Sequence, residues 1–87
     1  MIIIQTEDFD RAFKKLPADA RHLYLIQYHR FQVNVRDPRL HVKKLQDEEG
    51  VFSLRVTRRY RVLFYFQNSD TAIFFDIDHR KDVYRDF

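Results

Sequence analysis

Residues 55–61 read Arg-Val-Thr-Arg-Arg-Tyr-Arg, so Arg55, Arg58, Arg59 and Arg61 place four guanidinium groups within seven positions. An arginine fork donates to two oxygens of one phosphate and keeps its charge throughout the physiological range, which suits a polyanionic ligand. No acidic residue occurs between Gly50 and Asp70. The formal charge of the whole chain is only +3, yet this segment forms a local basic patch that attracts polyanions. A solvated hairpin face that serves solubility would carry the same charges. Lys43 and Lys44 add a second basic pair. Asp76, Asp78 and His79 place two carboxylates and an imidazole within four positions. Side chains on a strand alternate between faces, so the two aspartates share a face and His79 takes the other, which argues against a metal centre. His22 and His29 lie two helical turns apart, too far for one ion. Cysteine is absent, which excludes disulfides and thiolate metal sites and fits a reducing compartment. No metal or other cofactor is expected.

The elements that must position these groups follow from periodicity. The chain has 87 residues, enough for one domain spanning residues 1–87 with one core, and nine Phe and five Tyr supply large apolar bodies for it. Ile2 to Gln5 reads as a short β-branched strand. Thr6 is the expected N-cap of a first helix, with Glu7 and Asp8 suited to its first turn. Phe9, Ala12, Phe13 and Leu16 recur at i, i+3, i+4, i+7, one face of an amphipathic helix. Pro17 ends that helix and opens a second, expected from Ala18 to Val35, with Tyr24, Tyr28, Phe31 and Val35 as its apolar stripe, widened by Leu23 and Ile26. The two should form an antiparallel hairpin. Asp37-Pro38 breaks the pattern, residues 39–45 fit neither period, and 46–50 form a polar turn ending at the only glycine. Three alternating runs follow, with Phe52/Leu54/Val56, Val62/Phe64/Phe66 and Ile73/Phe75/Ile77 as the core-facing sets. The expected class is α+β, ordered β-α-α-β-β-β, with a helical hairpin packed on one face of a small antiparallel sheet. Arg55, Arg61, Tyr65, Asp76 and Asp78 would then share the other, wetter face. Cross-strand Arg–Asp pairing on an ordinary solvated surface would explain that face equally well. No apolar run approaches the roughly 20 residues of a membrane helix, and the start lacks the basic and apolar regions of a signal peptide. A cytoplasmic location without membrane contact is expected.

The segments Gly-Val-Phe-Ser-Leu-Arg-Val-Thr-Arg-Arg-Tyr-Arg-Val-Leu-Phe-Tyr-Phe (50–66) and Asp-Ile-Asp-His-Arg-Lys-Asp-Val-Tyr-Arg-Asp-Phe (76–87) resemble the RelE/ParE family of bacterial and archaeal type II toxins. Leu-Pro-Ala-Asp-Ala-Arg-His-Leu-Tyr (16–24) and Asp-Pro-Arg-Leu-His-Val-Lys-Lys-Leu (37–45) extend the likeness over nearly the whole chain. The resemblance implies a RelE-like fold and a cognate antitoxin whose segments wrap the toxin. It implies contact with operator DNA only through that antitoxin. In RelE-like members it implies cleavage of mRNA in the ribosomal A site; in ParE-like members, inhibition of DNA gyrase. One scaffold carries both activities.

The RelE-like branch matches better. It implies a catalytic arginine after an aromatic at the start of the third strand, matched by Tyr60-Arg61, and a terminal tyrosine in proton transfer, matched by Tyr84. The arginine of its tail is matched by Arg80, flanked by His79 and Lys81. Basic residues implied near the start of the second strand, two positions apart, correspond to Ser53 and Arg55, of which only Arg55 is basic. Asp78 stands where family members often have glycine. The expected catalytic set is therefore Arg61, Tyr84, Arg55, Arg80 and, as reserve acid or base, His79. Lys43, Lys44, Arg58, Arg59 and Lys81 are the expected RNA or ribosome contacts. Such cleavage deprotonates the ribose 2′-OH, stabilises a trigonal-bipyramidal phosphate and protonates the 5′-oxygen, without a metal. A decayed relative that binds its antitoxin but no longer cuts is the third possibility, suggested by Ser53 and Asp78.

Overall fold

Four apolar, mostly β-branched residues at the start of the chain can gain backbone partners only by joining a sheet, and they do. In the computed structural model, which describes residues 1–79, strand β1 (Ile2–Gln5) lies beside the last described strand in parallel register, Ile2 opposite Thr71 and Gln5 opposite Phe74. Helix α1 (Glu7–Lys14) follows at once. Its cap is Thr6, as expected: the hydroxyl accepts from the Phe9 N–H at 3.1 Å, satisfying one of the helix's orphan donors. After Pro17, helix α2 covers Ala18–Val33. It stops two residues short of the sequence expectation, because Asn34 takes an extended conformation. Residues 39–45, which fitted no period, resolve into a 3-10 turn at Pro38–Leu40 and a two-residue strand β2 at Lys43–Lys44. Strands β3 (Val51–Arg55), β4 (Tyr60–Asn68) and β5 (Thr71–His79) complete the sheet.

The sheet order is β1-β5-β4-β3-β2. The last three strands pair antiparallel as expected, β2 pairs antiparallel with β3, and β1 joins in parallel, so the sheet is mixed. The α+β class and its helix-on-sheet layering hold. Phe9 and Phe13 of α1 meet Tyr24 of α2 with ring centroids 5.4 and 5.1 Å apart. Phe31 stands 5.2 Å from both Phe64 and Phe74, joining α2 to the centre of the sheet by edge-on aromatic packing. The Tyr24 hydroxyl donates to Gln5 Oε1 at 2.6 Å, and burial, reinforced by Tyr28 and Asp10, drives its pKa far above the ordinary phenol range.

Two expected faces are corrected. Val62 pairs with Ile77 and Leu63 with Asp76, but Phe64 then pairs with Phe74, which leaves Phe75 as an extra residue in β5. Such a bulge inverts strand parity beyond it. Ala72 and Phe74, not Ile73 and Phe75, therefore join Ile77 in the main core. Phe75 instead packs with Leu45, Leu63 and Val51 in a small apolar cluster. The second face is thus partly covered rather than open. The bulge also receives the first helix: Phe74 O accepts from the Thr6 N–H at 3.1 Å, and Phe75 O from its hydroxyl at 3.4 Å. On α2 the inward residues are Ala20, Tyr24, Gln27 and Phe31. Leu23 and Ile26, expected to widen the stripe, are exposed. Among the described residues no helix is long and apolar enough to cross a membrane.

Candidate functional site

Strand pairing builds the site. The Val56 N–H donates to Tyr60 O at 3.0 Å. Antiparallel ladders alternate hydrogen-bonded and open pairs, so the next pair inward, Arg55 with Arg61, is an open one, with Cα atoms about 4.5 Å apart and side chains on the same face. Two cations therefore stand directly opposite one another, an arrangement that destabilises a sheet. Asp78 lies across from Arg61 on β5, so one row reads Arg55, Arg61, Asp78. The next row reads Lys43, Ser53, Leu63, Asp76. Lys43 thereby supplies an exposed cation beside the position where Ser53 replaces an expected basic residue.

Burial varies sharply along these rows. Arg61 is fully buried, Arg55 half-buried, and Asp78 and Lys43 exposed. Arg61 Nη1 donates to His41 O at 3.5 Å. His41 follows the 3-10 turn with φ 48°, in the left-handed region, which histidine enters more readily than most residues. Arg55 Nε is buried with no hydrogen-bond partner among the described residues. Burial, then the Asp78 carboxylate and more distantly Asp8, raise the pKa of Asp76; the backbone of Ile77 opposes them.

The structure brings Arg55, Arg61 and Lys43 to one face and leaves other expected site residues elsewhere. His79 is opposite Tyr60, their ring centroids 5.7 Å apart. Both line a cleft of about 500 Å³ against α1, with Arg11, Lys15, Asp8 and Asp78. Arg58 and Arg59 are exposed at the β3–β4 turn, where the Thr57 hydroxyl accepts from the Arg59 and Tyr60 N–H groups at 3.0 and 3.1 Å. There they line a separate cleft of about 340 Å³ with Ala20 and Leu23. Lys44 is opposite Phe52, on the other parity from Lys43. Arg80, Lys81 and Tyr84 lie outside the described residues. Among the described residues no three His, Asp or Glu side chains cluster as ligands for a metal ion. Sequence reasoning missed Gln27 and His41 as neighbours of the pair, whereas Asp76 lies on the face expected for it. The available signal was Gln27, a lone polar residue at helical spacing in the stripe Ala20, Tyr24, Gln27, Phe31.

No protein-family model matches the chain, and no curated protein matches it. Solved structures do. The RelB–RelE antitoxin–toxin complex from Methanococcus jannaschii aligns with a TM-score of 0.77 and 24% identity over 97% of this chain and 98% of that one. A YoeB/ParE toxin from Agrobacterium tumefaciens aligns at 0.76 and 13% identity, covering 92% and 99%. The toxin–antitoxin complex RelBE2 from Mycobacterium tuberculosis aligns at 0.62 with 29% identity, covering 91% and 96%. The chain has the fold of the RelE/ParE toxin superfamily.

Proposed function

We propose that this chain is the single-domain toxin of a type II toxin–antitoxin pair, and that it cuts mRNA on the ribosome. The observation that carries the reading is the opposed pair Arg55 and Arg61. Side by side, the two forks offer one anion a pair of guanidinium groups, and an anion held by both meets the charge of each. An RNA phosphate fits that description. The 2′-oxygen would attack phosphorus as its proton leaves to a base, and the P–O5′ bond would break as the 5′-oxygen gains a proton. A 2′,3′-cyclic phosphate and a free 5′-hydroxyl result. Arg61 and Arg55 would hold the charge that accumulates on the equatorial oxygens. Tyr84 and Arg80 are proposed for proton transfer and charge neutralisation, with His79 in reserve. Lys43, Lys44, Arg58, Arg59 and Lys81 would hold RNA by charge. The ribosome would supply much of the alignment of the message.

A cognate antitoxin is the proposed partner, because the similar Methanococcus and Mycobacterium structures are complexes of toxin with antitoxin. The cytoplasm is the proposed location. A second reading, a homologue that binds antitoxin without cutting, draws support from Asp78 opposite Arg61. A carboxylate there competes with phosphate for the guanidinium. Induced expression of the wild type and Arg61→Ala in bacteria, with pulse-labelling of new protein and of plasmid supercoiling, tests the proposal. Protein synthesis should stop first in the wild type and continue in the variant. Loss of supercoiling with translation intact would favour gyrase inhibition, and unimpaired growth of both strains would favour the non-cutting reading.

A further inference from the structure

We infer that Gln27 is a positioning residue for the Arg55–Arg61 pair; the inference rests on the reading of that pair as an RNA-phosphate site. Gln27 sits on the inner face of α2 and is only 5% exposed. Its Nε2 donates to Arg55 O at 2.7 Å and to Arg39 O at 2.9 Å. Its Oε1 accepts from Arg30 Nη1 at 2.9 Å. Arginine can only donate and the two carbonyls can only accept, so the orientation of the amide is fixed by its partners. Both of its N–H groups and its oxygen are used, which is what allows an amide to be buried here.

The two carbonyls it holds belong to Arg55, the strand partner of Arg61, and to the turn that leads into His41. β2 pairs only with Phe52 and Ser53, so among the described residues the outer edge of β3 has no strand partner beyond them. Because Arg55 and Arg61 form an open pair, the Arg55 carbonyl points away from β4, toward that bare edge. Gln27 takes the place of the missing strand there. Arg39 belongs to the 3-10 turn that leads into His41, and the His41 carbonyl accepts from Arg61 Nη1. One buried amide therefore fixes the backbone that carries Arg55 and the turn that delivers the acceptor for Arg61. A leucine at this place in the stripe would pack against the core and hold neither segment.

Gln27→Met keeps the length and the packing and loses both donations. Tyr24→Phe is the control: it lies one turn earlier on the same buried face and loses its bond to Gln5, away from the arginines. Single-turnover cleavage on programmed ribosomes is measured for both, well below each variant's melting temperature. Gln27→Met should lower the rate at saturating ribosomes about 100-fold, the scale set by misplacing a reacting group by about 1 Å. Its half-saturating ribosome concentration should change less than about threefold, since binding is spread over many cations. Tyr24→Phe should melt lower and cut normally. Equal rate losses in both variants, or a Gln27→Met that melts lower but cuts at the wild-type rate, would overturn the inference. If Gln27→Met does not fold, Gln27→Asn keeps the amide with one carbon less reach and should show the same split in smaller measure. If the wild type itself cuts no message, the nuclease reading fails, and the positioning role is read from the arginine Nε–H resonances. Gln27→Met should shift those of Arg55 and Arg61 while Tyr24→Phe leaves them in place, and unchanged resonances in both would overturn it.

Discussion

Arg55→Met should make the protein more stable while it weakens anion binding. The substitution keeps an unbranched stem of similar length and removes the guanidinium. Two unfavourable contributions disappear with it. Opposed like charges in an antiparallel pair destabilise it, and Arg55 stands directly opposite Arg61. A buried donor left unsatisfied costs about 1–3 kcal/mol, and Arg55 Nε is buried with no partner among the described residues. The half-buried head keeps some hydration that methionine forfeits, so the net gain should be about 1–2 kcal/mol. For a domain of this size that raises the melting temperature by about 5–15 °C. Thermal unfolding followed by far-ultraviolet circular dichroism reads the shift directly. Inorganic phosphate should raise the melting temperature of the wild type and leave the variant nearly unmoved, since a ligand stabilises only the form that binds it. A melting temperature lowered by several degrees would instead make Arg55 a structural cation whose charge the fold satisfies.

Asp76→Asn should also stabilise. An acid whose folded-state pKa lies above its unfolded value opposes folding once pH exceeds the unfolded pKa, so the gain should appear at neutral pH and vanish below about pH 4 in urea titrations. Asp37 runs the other way. Hydrogen bonds from the Arg39 side chain and then from its backbone hold its pKa down at about 2, so its contribution is present above the unfolded value and fades as pH falls through the folded one. Asp37→Asn should therefore melt lower than the wild type at pH 5, and the two curves should converge towards about pH 2. Gly50 has φ 79° with open space where a Cβ would stand. Gly50→Ala should cost about 1–2 kcal/mol from backbone strain alone, and a melting temperature equal to wild type would show that the turn re-forms with negative φ.

The fold was legible where local chemistry and tertiary packing agree. Thr6 capping α1, Pro17 dividing the helices and the alternation on β3 and β4 all follow from the sequence, because each depends on neighbours within a few positions. The faces of β5 were not. A single extra residue at Phe75 inverts parity, and nothing in Ala-Ile-Phe-Phe-Asp-Ile distinguishes a bulge from regular alternation when both phases are apolar. On α2 apolar residues occur on nearly every side, so Gln27 stood out only as a lone polar residue within one of several possible stripes. Arg55 and Arg61 were legible as a cluster, but their direct opposition depends on the register set by the β3–β4 turn. The burial of Arg61 depends on tertiary cover that spacing along the chain does not report.

Primer extension on a defined message translated by purified ribosomes, with wild type beside Arg61→Ala and Tyr84→Phe, tests whether the opposed arginines bind and activate an RNA phosphate. Cuts are expected on the wild-type message only when it is being translated, with removal of the Arg61 guanidinium lowering the cutting rate about 10²–10³-fold and Tyr84→Phe also slowing it. Cuts of undiminished rate in Arg61→Ala would contradict the assignment of the site, and an intact message with translation unaffected would contradict the nuclease reading altogether.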